Sequence, residues 1–273
     1  MASYEKSPLT YWHLLSLDAP AVATLWTWFI ARTNHVPLRL SSLIAMATAV
    51  WMLYAADRLL DAQSENLEAL EVRHYFHREH RSGFMAGIGL ASVLLAILLP
   101  RIPEAAIRLY LILGGLVFGY FVIIHATRSA HRLPKEIAVG VCFAAATFIP
   151  TVARDPALRL PLLPSALVLA ALCSLNCLFI YAWEHPLPSG QMPHPVTAIA
   201  LRHLVSLTFL IAAVSSTLAL FDRRTPWPLY AASAFSAAAL LVLHHRRKAF
   251  LPLHLRAAAD LALLTPLLLV PFL

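Results

Sequence analysis

Nine long apolar runs, each closed by charged or proline-rich residues, leave this chain few ways to fold. They cover about residues 12–32, 42–61, 83–99, 107–127, 136–153, 163–183, 200–221, 227–244 and 255–272. Each approaches the roughly 20 residues with which an α-helix crosses the hydrocarbon core of a bilayer. They are too long and too continuously apolar for the alternating strands of a membrane barrel. The first run is the weakest, because Asp18 and Pro20 interrupt it. Composition agrees: 60% of the 273 residues are hydrophobic and 13% are charged, against about 25% charged in a soluble domain. A soluble globular enzyme, a disordered chain and a nucleic-acid-binding domain are excluded on that ground. The expected fold is an all-α, polytopic transmembrane helical bundle of about nine helices. It forms a single integral membrane domain over residues 1–273, with a polar cytoplasmic cap at residues 62–82.

The net charge of +7 fits basic loops held against a cytoplasmic leaflet, and nucleic acid is not an expected partner. Nine spans would put Lys6 and the loops after spans two, four, six and eight on one side. That side carries 12 Lys and Arg, with clusters at Arg73–Arg81, Arg128–Lys135 and Arg246–Lys248, and the other side carries 8. The bias predicts a cytoplasmic N-terminus, an external C-terminus and, as the expected location, a bacterial inner membrane.

Charges in membrane helices are expensive and usually functional, so the carboxylates are the most informative residues. Asp57 and Asp61 stand four apart at the predicted cytoplasmic end of span two, which puts both on one helix face. Two like charges there need a cation between them. A magnesium ion bridging to a diphosphate is one solution, because Mg²⁺ takes one or two carboxylates plus phosphate oxygens. A polar helix end with Arg58 and loop arginines as counterions is the other. Span six ends in Tyr181-Ala182-Trp183-Glu184-His185, which echoes Tyr54-Ala55-Ala56-Asp57. Either this is a faint internal repeat placing Glu184 opposite Asp57, or it is chance similarity in an apolar alphabet. Asn176 adds polarity to the same span, where an interhelical hydrogen bond is its simplest use.

The cap contains His74, His77 and His80, but histidines among arginines are poor cation ligands, and a solvated amphipathic segment is the expected reading. Its basic residues could instead hold phosphate oxygens. Arg128, Arg132 and Lys135 suit the same purpose, or ordinary anchoring of a cytoplasmic loop. Asp260, one turn after Arg256, is expected to pair with it or, near the same cytoplasmic face, to be a minor candidate for the cavity.

These residues resemble the UbiA superfamily of intramembrane prenyltransferases. The family's first motif reads Asn-Asp-x-x-Asp-x-x-x-Asp; here Leu53 and Tyr54 replace its first two residues, and Asp57 and Asp61 keep its last two acids. In the second motif, Asp-x-x-x-Asp, Glu184 takes the first position and Pro188 the other. Arg132-Leu133-Pro134-Lys135-Glu136 is similar to a basic loop common in the family. The resemblance implies Mg²⁺-dependent transfer of an isoprenyl group from a prenyl diphosphate to an aromatic or other lipophilic acceptor within the lipid bilayer. It assigns the metal and catalytic role to Asp57, Asp61 and Glu184. It assigns substrate contacts to Tyr54, Arg58, Arg128, Arg132, Lys135, Asn176, Tyr181 and His185. The competing expectations are a catalytically silent isoprenoid- or lipid-binding protein and a small transporter. The acids lie at helix ends, away from the mid-membrane sites of transporters.

Overall fold

The computed structural model describes residues 7–64, 72–126, 134–184 and 194–273, and every regular element among them is helical. Two compact units emerge, Met1–Thr24 with Arg39–Ile102, and Leu25–Leu38 with Pro103–Leu273.

The first unit holds α1 (Pro8–Leu14), the start of α2 (Asp18–Thr33), α3 (Leu40–Ser64), α4 (Val72–Glu79) and α5 (Arg81–Leu98). Ser7 caps α1, accepting from the Thr10 amide, and Pro8 occupies the first turn, where its missing N–H costs nothing. The run expected at 12–32 is not one straight span, because α1 and α2 meet at 85°. The bend is a Schellman turn: Leu17 N–H donates to the Trp12 carbonyl and Ser16 N–H to that of His13. Ser16 has φ 58°, the left-handed conformation this closure requires and which glycine usually supplies. Serine in that place hid the break from the sequence. Leu14, Ala55, Leu59, Phe76 and Phe84 form the unit's core, with Trp51 and Ile88 against them. Trp51 stacks on Phe84 and donates its indole N–H to the Leu15 carbonyl at 3.0 Å, tying α3 to the bend.

Within the expected cap, α4 is amphipathic. Phe76 and His77 are buried, and Arg78, Glu79 and His80 are exposed. His77 is buried and His80, just past the end of the helix, is exposed, so the two do not present to one ligand. His77 stacks on Phe84 and lies 3.4 Å from the Ser16 hydroxyl, so it belongs to the core and is not solvated.

The second unit holds the end of α2 and α6 (Glu104–Ala126), α7 (Lys135–Arg154), α8 (Leu163–Glu184), α9 (Pro195–Arg202), α10 (Leu204–Phe221), α11 (Trp227–Arg246), α12 (Pro252–Leu261) and α13 (Pro266–Leu269). Trp26 is fully buried and donates to the Leu263 carbonyl at 2.8 Å. Thr265 links α11 to the break between α12 and α13, bonding Ser236 at 2.6 Å and the Ala232 carbonyl at 2.7 Å. Two expected spans are therefore less regular than the apolar runs suggested. The run at 200–221 is a full helix only from Leu204, with α9 separate before it, and the run at 255–272 is divided between α12 and α13.

Among the described residues seven helical segments are long and apolar enough to cross a membrane, or eight if the bent α1–α2 pair counts as one span. α6 follows the fourth expected run. Large apolar side chains such as Leu90, Leu111, Phe118, Phe209 and Leu220 are exposed along α5, α6 and α10. In water such surfaces would associate, whereas in a bilayer they meet acyl chains. The chain is an integral, multi-pass α-helical membrane protein.

Candidate functional site

In the first unit α3 runs unbroken to Ser64, so Asp57 and position 61 stand one turn apart on a continuous helix. Asp57 is exposed and Tyr54 half-buried; the Asp61 side chain lies outside the described residues. Arg58, one position on and about 100° around the helix, points the other way and is only 5% exposed. Its Nη1 donates to the His13 carbonyl at 2.5 Å, and its Nη2 lies 3.5 Å from Asp18 Oδ2. Arg58 was expected among the substrate contacts, yet its guanidinium is committed to the protein interior.

That interior contact is a polar core that residue spacing alone did not assemble. His13 Nδ1 and Asp18 Oδ2 are 2.5 Å apart, and both residues are buried. Asp18 Oδ1 accepts from the Ala19 amide at 3.0 Å, and a carboxylate at the head of α2 is favoured by the helix dipole. The signal in the sequence was Asp18 itself, an acid inside an otherwise apolar run. Metal-ligand side chains occur in both units: His13 and Asp18 in the first, Asp260 in the second.

In the second unit Glu184 ends α8. Its Oε1 accepts from Arg256 Nη1 of α12 at 2.5 Å, both side chains being less than a quarter exposed. The expected Arg256–Asp260 pairing is replaced. Asp260 Oδ1 instead accepts from Asn176 Nδ2 at 2.9 Å, so Asn176 makes the interhelical bond anticipated for it. Asn176 Oδ1 is buried without a hydrogen-bond partner among the described residues. Tyr181 is half-buried and Lys135 exposed at the head of α7, where Glu136 accepts from Thr197 at 3.0 Å. Trp183 donates to His244 Nδ1 at 3.1 Å. Glu184, Arg256, Arg247 and Lys248 open onto a cavity of about 350 Å³ with Trp183 and Phe250 among its walls. Arg128, Arg132 and His185 lie outside the described residues.

Fold and site together define a polytopic helical membrane protein with carboxylates at the ends of α3 and α8 and residues able to ligate a metal. No family model, curated protein or solved structure matches the chain.

Proposed function

We propose that the protein is a divergent UbiA-like prenyltransferase, transferring an isoprenyl group from a prenyl diphosphate to a lipophilic acceptor. The observation that carries this reading is the exposed Asp57 at the end of a membrane-length helix that continues unbroken through position 61. An exposed carboxylate with a second acid one turn on suits Mg²⁺, which needs few protein ligands when phosphate oxygens complete its octahedron. When bound, the ion would offset charge on the departing diphosphate. This reading assigns a substrate contact to Tyr54, half-buried and one turn before Asp57. Glu184 fits the metal role less well, since Arg256 already neutralises it.

That pairing favours a second reading, in which the chain binds an isoprenoid or lipid without transferring it. The two separate on one assay: diphosphate release by the purified chain with Mg²⁺, a set of prenyl diphosphates and an aromatic acceptor. The transferase reading expects release by the parent and a loss of roughly 10²-fold in Asp57→Asn, the scale of one electrostatic stabiliser. Retention of prenyl diphosphate by the parent with no release would establish the binding reading instead.

We further place the ends of α3 and α8 on the cytoplasmic side, from the 12 to 8 distribution of Lys and Arg. With Cys142, Cys173 and Cys177 replaced by alanine, a cysteine at His245 should label only from the cytoplasm and one at Arg159 only from outside. The reverse pattern would invert the assignment.

A further inference from the structure

The cavity at the end of α8 has a composition that neither helix-end acid explains. Arg247 and Lys248, after α11, and Arg256, on α12, face it beside a single carboxylate, Glu184. Trp183 and Phe250 supply aromatic wall. Three cations against one anion attract a compact negative group, and the aromatic surface suits an apolar body attached to it. The cavity lies where the apolar helices α8 and α11 end. Basic pockets between membrane helices at that depth receive lipid headgroups.

We infer that this cavity binds the phosphate of a phosphorylated amphiphile, and that Glu184 occupies the phosphate's place on Arg256 until the ligand arrives. Glu184 presents one carboxylate oxygen to Arg256 Nη1 at 2.5 Å. A phosphate offers the same guanidinium two oxygens in a parallel, bidentate arrangement. It also lies within the field of Arg247 and Lys248, which are exposed and line the cavity; Arg247 donates one N–H to the His244 carbonyl at 2.8 Å and keeps its other donors for a ligand. Exchange of carboxylate for phosphate on Arg256 releases Glu184, so the guanidinium is screened by the carboxylate when the site is empty and by the phosphate when it is filled. This recognition requires neither a metal nor the transfer reaction, and it stands or falls separately from the role of Asp57.

The test is binding of short-chain phosphatidic acid to the full chain in a neutral detergent with EDTA present. Inorganic phosphate and a neutral lipid of equal chain length serve as comparison ligands. The parent should bind phosphatidic acid at least tenfold more tightly than either. The double variant Arg247→Gln/Lys248→Gln, altered only at exposed positions, should lose about tenfold in affinity and most of its salt dependence, as should Arg256→Gln. Glu184→Gln should bind about threefold or more tightly than the parent, because the competing carboxylate is gone. Weaker or unchanged binding by Glu184→Gln would overturn the placeholder role. An unchanged affinity in the Arg247/Lys248 double variant would overturn the site itself. Inorganic phosphate binding as tightly as the lipid would overturn the amphiphile in favour of a free anion. If Arg256→Gln does not fold, the other two variants decide the matter. Loss of diphosphate release in Asp57→Asn leaves every one of these results unaffected.

Discussion

Gly140→Ala is expected to destabilise the protein by about 3 kcal/mol, the upper end of what overpacking costs. Gly140 lies in α7, facing α8. A Cβ at that position would stand 2.7 Å from the Ser174 Cα and closer still to that residue's amide nitrogen and hydroxyl oxygen. Two of those three atoms are backbone, so no rotamer change relieves the clash and the helices must separate. Small residues at a helix crossing let backbones approach, and in a membrane that approach is a principal source of association energy. Gly115→Ala on α6 is the control, because nothing lies within 4 Å of the place its new methyl group would take and alanine gains about 1 kcal/mol of helix propensity over glycine. Gly87→Ala should fall between them, since its nearest neighbour is the edge of the Trp51 ring at 2.7 Å, a side chain that can shift. Thermal unfolding in one detergent, read on all three variants, orders them. Equal melting of Gly140→Ala and Gly115→Ala would deny the close contact of α7 with α8.

The apolar runs announced the membrane spans, because twenty apolar residues in succession are costly anywhere else. They did not announce where spans break. Ser16 adopts a left-handed conformation that glycine or asparagine would have signalled, and α9 is separated from α10 at His203 with no proline or glycine between them. The polar contacts were legible only as residue types. Local spacing favoured Arg256 with Asp260, an i,i+4 pair worth a few tenths of a kcal/mol. The fold brings Glu184 to Arg256 across 72 positions and Asn176 to Asp260 across 84, and contacts made across helices override the local rule. The direction of Arg58 was not legible for a related reason. A charge beside Asp57 reads as its counterion, whereas neighbours on a helix point in different directions, and Arg58 faces the α1–α2 bend.

That inward arginine carries the second large effect: Arg58→Met should cost about 3 kcal/mol or more, the range for breaking a buried ion pair by removing one partner. Methionine keeps much of the apolar stem but withdraws the guanidinium from Asp18 and from the His13 carbonyl. Asp18, 2% exposed, keeps the His13 and Ala19 contacts and loses its arginine. Asp18→Asn attacks the same arrangement from the other side, preserving size while leaving the arginine's charge buried. If the two residues form one unit, the double variant should be less destabilised than the sum of the singles, by about 1–3 kcal/mol. The sign matters more than the size. Additive losses would mean that each side chain is held independently and that the 3.5 Å approach of Nη2 to Oδ2 contributes no more than a surface pair. Losses smaller than additive would establish that Arg58 and Asp18 act as one unit at the bend between α1 and α2. An acid inside an apolar run is otherwise hard to retain in a membrane protein, and this coupling would account for Asp18 without assigning it to catalysis.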